Sequence, residues 1–344
     1  MKRFFSVLLL IILIFSLSGC KEKDPSFVPS DTALNNTDSQ EKPDYFEEER
    51  NHTSENARVT ENAVYWEDDG TIYHCSLESG KETEIAKGRL GSAIGKFIYF
   101  TETDGTVSAY DGQKKIIIPN GKGYATEEGL LLYEGTTLSL LDREDPNQKK
   151  QYPHPVEGLE NYVTLKGDVL YWFGKNALQK TDLQSGKTET LQELGYIGTA
   201  IPSFYWFGEQ LYFYYGYTVY RCEKDQVTAV VTYKENTACV FGNGYAYISE
   251  PYETTDTILD LQNGSVVRTL ENAAGFGANQ WGVAYHDDTH IVIDSEEELR
   301  IPIPEGTDLI GFCYATPNGA LVNTAEEYLH VYRTDDGEWS FSRL

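Results

Sequence analysis

The feature that most restricts the fold of this chain is a short aromatic or aliphatic triplet that recurs along its length. The triplets occupy residues 64–66, 98–100, 131–133, 170–172, 211–213, 246–248, 283–285 and 320–322. The spacing between successive triplets stays between 33 and 41 residues. A regular period of about 20–50 residues indicates a repeat architecture, in which each unit buries its apolar faces against its neighbours.

Each repeat has the same internal order of strands and turns. A short apolar strand and a Gly-containing turn precede the triplet, which lies in the second strand of the repeat. A polar turn follows, then a third strand such as 71–77, a Gly-containing turn at 78–81 and a last strand at 82–85. Similar turns recur at 182–187 and 260–264, where a glycine provides the positive φ of a tight hairpin. Four short strands per repeat are typical of one β-propeller blade. An open solenoid and two tandem sandwiches are the alternatives that the regular spacing disfavours.

The sequence therefore predicts an all-β fold, a β-propeller over residues 58–344 with eight four-stranded blades and seven as the alternative. Strands are predicted at 309–315, 319–324, 328–333 and 339–343 in the last repeat. Because the first and last repeats both look complete, we expect the ring to close by packing them together. An exchanged strand is the alternative.

The first residues have the order of an export signal. Lys2 and Arg3 precede an apolar run over 4–17 that is too short to span a bilayer. The run ends in Leu17-Ser18-Gly19-Cys20, which resembles the lipobox of bacterial lipoproteins. The resemblance implies a lipoprotein signal peptide over 1–19 and a lipidated Cys20, with palmitate-type acyl chains anchoring the protein to a membrane. An ordinary cleaved signal peptide is the alternative.

Residues 20–57 are predicted to be a disordered acidic tether behind the lipidated cysteine. This stretch contains Pro25, Pro29 and Pro43 among polar and acidic residues, with almost no periodic apolar positions. Such a segment buries too little surface to offset the entropy of ordering it. A flexible chain of this length reaches roughly 30–37 Å. The predicted location is the extracytoplasmic side of the cell membrane.

The balance of charges excludes one class of function. The chain carries 28 Lys and Arg against 54 Asp and Glu, a formal net charge of −26. Nucleic-acid binding requires a basic face that neutralises phosphates. No nucleic-acid partner is therefore expected.

Two repeats resemble a known family of propellers. Tyr65-Trp66-Glu67-Asp68 and the segment 99–104 resemble degenerate YWTD repeats, as found in propellers of the low-density-lipoprotein-receptor type and in uncharacterised bacterial propeller lipoproteins. The segments 69–73 and 104–107 are also similar to quinoprotein-like repeats. The resemblance implies the propeller fold. The blade-ending Trp of quinoprotein repeats is missing, so no quinone cofactor is expected.

Propeller topology sorts the turns onto two faces. We call the face with the turns between second and third strands the first face, and the face with the turns between third and fourth strands the second face. The first face carries thirteen acidic residues against one Lys, and the second carries sixteen against nine bases. An acidic face attracts cations, basic peptides or Ca²⁺, although acidic residues are also ordinary turn formers. The candidate acidic residues are Asp68, Asp69, Asp104, Asp287 and Asp288.

A run of aromatic residues between 204 and 220 provides the second candidate feature. Most of these rings are expected to fill the space between blades. Tyr214, Tyr215 and Tyr217 lie around Gly216 at a first-face hairpin, and with Trp206 they form a candidate ligand patch for a cation or a sugar. The sequence allows both interpretations of these aromatic residues, core packing and a ligand patch.

Two histidines and two cysteines are the residues considered for a metal site and a disulfide. The spacing of His286 and His290 predicts that they lie on opposite strands of a hairpin near its turn, without an identifiable third zinc ligand. Cys222 and Cys239 are the one plausible disulfide pair, and small buried thiols are the alternative. No catalytic residue is named and no cofactor is expected, Ca²⁺ being the one considered.

The sequence predicts a membrane-anchored, monomeric binding or scaffolding module with an unknown protein, peptide or glycan partner. The alternative function is an exported enzyme that acts on cell-wall or nutrient glycans at the central channel.

Overall fold

The computed structural model describes most of the chain after residue 56. The described residues are 57–119, 121–159, 162–174, 176–195, 202–234, 237–249, 255–279, 281–295, 298–307, 309–324, 328–334 and 336–344. The predicted signal peptide, the predicted lipidation site Cys20 and the predicted tether up to residue 56 lie outside them. Within these residues all regular structure is strand, so no helix there is long and apolar enough to cross a membrane.

The strands form antiparallel sheets in chain order. The β1–β7 sheet contains β1 (Ala57–Val59), β2 (Ala63–Asp68), β3 (Thr71–Ser76), β4 (Glu82–Ile94), β5 (Phe97–Glu102), β6 (Val107–Tyr110) and β7 (Lys115–Ile118). The β8–β11 sheet contains β8 (Lys122–Thr126), β9 (Gly129–Glu134), β10 (Thr137–Asp142) and β11 (Lys149–Tyr152). The β12–β15 sheet contains β12 (Val163–Lys166), β13 (Val169–Gly174), β14 (Ala177–Asp182) and β15 (Lys187–Glu193).

The remaining sheets repeat the same four-stranded order. The β16–β19 sheet contains β16 (Ser203–Phe207), β17 (Gln210–Tyr215), β18 (Thr218–Glu223) and β19 (Gln226–Thr232). The β20–β23 sheet contains β20 (Ala238–Gly242), β21 (Tyr245–Ser249), β22 (Thr255–Asp260) and β23 (Val266–Glu271). The β24–β27 sheet contains β24 (Ala274–Asn279), β25 (Gly282–His286), β26 (His290–Asp294) and β27 (Glu298–Pro302). The β28–β31 sheet contains β28 (Leu309–Thr316), β29 (Gly319–Thr324), β30 (Tyr328–Arg333) and β31 (Trp339–Arg343).

The long strand β4 explains why the first sheet has seven strands instead of four. Its residues 82–87 pair with β3, and its residues 88–94 pair with β5. The sheet therefore consists of two four-stranded parts, β1–β4 and β4–β7, that share one continuous strand. The change of partner occurs at Gly88, where a Cβ atom would lie 2.1 Å from the carbonyl oxygen of Thr101. Only glycine fits at this close approach.

Apolar clusters join each sheet to the next. Tyr124 and Leu131 pack with Leu165 and Leu170, for example, which joins the β8–β11 and β12–β15 sheets. The last cluster joins opposite ends of the described chain, because Trp66 and Cys75 pack with Tyr314 and Leu321. The first strands of successive sheets also contact one another, as β8 does with β12 and β20 with β24. The protein is thus a β-propeller, with the first strand of each sheet toward the centre.

Several predictions about the last sheet are confirmed. The strands expected at 309–315, 319–324, 328–333 and 339–343 are β28 to β31, with a difference of one residue at the end of β28. The first and last sheets pack together, as expected. Among the described residues β1 pairs with β2 and β31 with β30, so neither terminal strand is exchanged between the two sheets.

Candidate functional site

The hairpin at the end of β2 and β3 presents two predicted site residues on the first face. Asp68 pairs with Thr71 across a two-residue turn, Asp69 and Gly70, whose φ angles are 44° and 68°. Two positive φ angles define the type I′ turn, which follows the right-handed twist of the strands. Asp68 and Asp69 are exposed. Within the described part of the chain, neither carboxylate takes part in a hydrogen bond or an ion pair.

The other acidic residues predicted for the first face are engaged in local interactions. Asp104 accepts a hydrogen bond from the Thr106 amide at 2.8 Å. Asp288 accepts one from the Asn272 side chain at 2.9 Å.

Asp287 is the most constrained of the predicted acidic residues. It accepts hydrogen bonds from the amides of Thr289 and His290 at 2.8 and 2.7 Å and forms an ion pair with Arg300. Burial alone would raise the pKa of Asp287, but the two hydrogen bonds and the Arg300 charge favour the carboxylate more strongly, so its pKa is lowered. This carboxylate belongs to the structure of its hairpin.

Several aspartates on the second face share one structural role. Each of several third strands ends in an aspartate whose carboxylate accepts backbone N–H groups of the turn that follows, as Asp182 does from Gln184 and Ser185 at 3.1 and 2.7 Å. The hydrogen bonds from Ser185 lower the pKa of Asp182. Such Asx turns hold the hairpin without a ligand. The same arrangement occurs at Asp111, Asp142 and Asp260.

Two of the four candidate aromatic residues are inside the protein. Tyr214 and Tyr215 are 1% and 3% exposed, because β17 extends through Tyr215 and the turn begins at Gly216. Strand alternation sends their rings to opposite sides of the sheet. The Tyr214 hydroxyl donates to the Thr237 carbonyl at 2.6 Å, and the Tyr215 hydroxyl donates to the Gly195 carbonyl at 3.0 Å. Both rings therefore belong to the packing between sheets.

The structure separates the other two candidate aromatic residues. Trp206 pairs with Leu211 at the end of β17 nearest the second face, where its indole N–H donates to Thr164 at 3.0 Å. The Lys166 ammonium lies 4.5 Å from the centre of the Trp206 ring. Tyr217 is half-buried in the first-face turn with a φ of 62°. At about 3.3 Å per residue, the length of β17 places these two side chains well over 10 Å apart.

The histidine and cysteine features have simple structural explanations. His286 ends β25 and His290 begins β26, so the predicted placement across a hairpin is confirmed. In the described ranges no group of three or more His, Cys, Asp or Glu residues is arranged to hold a metal ion. Cys222 and Cys239 are free thiols that face different clusters. Burial raises the pKa of Cys222 to about 11, which keeps it protonated and unreactive.

One feature that sequence reasoning missed lies between β4 and β7. A groove of about 240 Å³ is lined by Thr83, Glu84, Ile85, Phe100, Tyr110 and Lys115. The sequence signal that could have identified it is the run Ile116-Ile117-Ile118 in an outer strand, where alternation must leave one isoleucine away from the core. Ile117 is indeed 70% exposed.

Comparisons with known proteins identify the fold without a family. No protein-family model and no curated protein matches the sequence. Among solved structures, the chain is similar to the dihydro-heme d1 dehydrogenase NirN, with 14% identity, 85% of this chain and 75% of that chain covered, and a TM-score of 0.53. It is also similar to BamB from Moraxella catarrhalis, with 11% identity, 84% and 96% covered, and a TM-score of 0.47.

A third similar structure is PorZ, a surface component of the type-IX secretion system of Porphyromonas gingivalis. Identity is 12%, the TM-score is 0.48, and 85% of this chain is covered. This chain spans 45% of the length of that PorZ chain. Of these three, NirN has the TM-score above 0.5, and its β-propeller fold agrees with the observed sheets. At 14% identity the likeness concerns the fold alone, because propellers support many unrelated functions.

Proposed function

We propose that this protein is a membrane-anchored, extracytoplasmic β-propeller lipoprotein that acts as a protein-binding or scaffolding module. In this proposal the ring has eight blades. The shared strand β4 supports that number, because counting it once in each of its two parts makes every unit four-stranded. The cluster that joins Trp66 with Leu321 supports a closed ring.

The observation that carries the binding function is the state of Asp68 and Asp69. Asp104, Asp182 and Asp287 each hold a turn, whereas Asp68 and Asp69 project at a hairpin tip, and neither carboxylate has an interaction among the described residues. A carboxylate that no structural contact uses is available to a partner. Its charge would steer a basic segment of that partner toward the first face.

The test of binding is affinity capture from the native envelope at low salt, with the captured proteins identified by mass spectrometry. We expect one or more proteins to co-purify with the wild type and to be lost in an Asp68→Asn, Asp69→Asn double variant. Asparagine keeps the shape and tolerates the positive φ at position 69. The matched control is Glu61→Gln, which removes an exposed carboxylate from the turn after β1 on the other face.

The same capture experiment, repeated at high salt, tests whether the charge of the first face contributes to binding. At about 0.5 M salt, exposed charges are screened over a few Å. We expect the recovered partner to decrease at that concentration. Capture that is equal in the double variant, in Glu61→Gln and at high salt would contradict binding through the first face, and recovery of lipids alone would contradict a protein-binding function.

The membrane anchor is tested at Cys20. A Cys20→Ser variant expressed in a bacterial envelope is expected to move from the membrane fraction to the soluble extracytoplasmic fraction and to lose labelling by a palmitate analogue. A serine variant that stays in the membrane fraction would contradict the anchor and would leave the binding test unaffected.

A further inference from the structure

The groove between β4 and β7 has the size of a side-chain pocket. Its volume of about 240 Å³ is below the range of about 300–1,000 Å³ in which proteins enclose whole small ligands. Its apolar wall consists of Ile85, Phe100 and Tyr110. A pocket of this kind suits one large apolar side chain of a larger partner, which is how interfaces commonly anchor.

The walls of the groove are held in place by the fold. Ile85 is the extra residue of a β-bulge between β3 and β4, and bulges redirect side chains. The Tyr110 hydroxyl donates to the Gly112 carbonyl at 2.8 Å, and the Tyr110 ring packs edge-on against His74 with centroids 5.9 Å apart. The groove is therefore formed before any partner arrives, which reduces the entropy cost of binding.

The strand beside the groove has an open edge. β7 pairs with β6 on one side and is the last strand of the β4–β7 part. Such an edge presents a row of backbone N–H and C=O groups to a new strand. The pairing of the outer segment of β4 and of β15, β19 and β23 contains a bulge, whereas β7, like β11, β27 and β31, pairs in regular register. Among these regular edges, the groove lies beside β7.

Strand alternation places an exposed apolar side chain next to the groove. Ile116 and Ile118 face the cluster shared with the β8–β11 sheet, so Lys115 and Ile117 face the groove side. Ile117 is 70% exposed.

Both charged residues that line the groove have a partner of opposite sign. The Lys115 ammonium pairs with Glu102 at 3.1 Å, and the Glu84 carboxylate lies 4.0 Å from the Lys87 ammonium. In a chain with a net charge of −26, the charges beside this edge are therefore balanced, which favours an uncharged segment.

We propose that β7 and this groove form a docking site for an extended, uncharged segment of a partner protein. The segment adds as a strand beside β7 and places one large apolar side chain between Ile85 and Tyr110. Backbone hydrogen bonds provide the affinity of strand addition, and the pocket provides its specificity. The inference rests on the proposed protein-binding function and assigns it a second surface and a partner chemistry.

The experiment uses a synthetic probe of that chemistry. A fluorescein-labelled peptide Thr-Val-Thr-Phe-Thr-Val-Thr is titrated with the full chain and followed by fluorescence anisotropy. We expect saturable binding that weakens at least tenfold in Ile117→Lys and in Ile85→Lys. Because Ile117 is exposed, its variant folds as the wild type does. The matched control is Val266→Lys, at a residue 55% exposed on the bulged edge strand β23, and there we expect less than a twofold change.

A second peptide tests the pairing itself. Replacing the central Phe with Pro removes both the anchor and a backbone donor, and we expect it to abolish binding. Absence of binding to the wild type, equal binding by Ile117→Lys, or equal binding of the Pro peptide would each overturn the inference. If the peptide does not bind while envelope capture through Asp68 and Asp69 succeeds, the proposed function stands without this site. If the peptide does not bind and envelope capture also fails, both the docking site and the proposed function are contradicted.

Discussion

The two sides of the β1–β4 part meet their neighbours in different ways. On one side Trp66 and Cys75 pack against the last sheet. Among the described residues, the first and last sheets share no strand, so side-chain packing alone joins them. On the other side the continuous strand β4 crosses into the β4–β7 part, and a groove is left toward the outer edge. A junction that depends on packing alone must be filled, whereas a junction secured by a shared strand can leave room for a partner.

The strongest test of this comparison removes one fully buried aliphatic side chain on each side. Leu321 lies in the apolar cluster that joins the last sheet to the first, and Ile98 lies in the cluster that joins the β1–β4 part to the β4–β7 part. Both side chains are 0% exposed. Leu321→Ala and Ile98→Ala are each expected to lower the free energy of unfolding by about 2–5 kcal/mol, measured by urea denaturation. If the ring did not close, Leu321 would be at a surface, and its variant would cost less than about 0.5 kcal/mol.

The shared strand is tested at the point where it changes partner. In Gly88→Ala the new methyl group would lie 2.1 Å from the Thr101 carbonyl oxygen, so the backbone must move, and we expect a loss of about 3 kcal/mol. The control is Gly80→Ala, where nothing lies within 4 Å and the cost is limited to the positive φ, about 1 kcal/mol. Equal losses in the two variants would show that the crossing of β4 does not require glycine.

Much of this architecture could be predicted from the sequence, because it depends on local alternation and turn chemistry. The triplet spacing located the second strand of each repeat, and Gly80, Gly186 and Gly264 marked hairpins that the structure contains. The continuity of β4 could not be predicted in this way. Its Gly88 and Gly91 look like turn residues, and a close approach to Thr101 is visible only in three dimensions.

The candidate site was less predictable for a similar reason. Trp206 and Tyr217 are eleven positions apart in sequence, but the register of β17 determines that they lie at opposite ends. Tyr214 and Tyr215 resemble turn residues because Gly216 follows them, yet the strand continues through both. Whether an aspartate is free also depends on distant partners, since Arg300 engages Asp287 while nothing described engages Asp69.

The smallest expected effect concerns pH, and it tests both sides of the β1–β4 part at once. His74 lies on the β4–β7 side beside Tyr65 and Tyr110. His330 pairs with Leu321, on the side that faces the first sheet. Burial lowers the pKa of both histidines. Because imidazoles of the unfolded chain titrate near pH 6.5, the unfolded state takes up protons first as the pH falls, so the free energy of unfolding decreases from about pH 6.5 downward.

We expect the urea midpoint of the wild type to fall between pH 7 and pH 5, a range above the lowered pKa of carboxylates such as Asp287. His74→Phe and His330→Phe are each expected to remove part of this dependence, and the double variant to remove both parts. His286, whose pKa burial also lowers, and Glu127, whose pKa burial raises, both contribute to what remains. If His74→Phe reduces the pH dependence and His330→Phe leaves it unchanged, the acid-sensitive junction lies on the side of the groove. It would then not lie where the first and last sheets close the ring. A wild-type midpoint that does not change over this range would contradict the burial of both histidines.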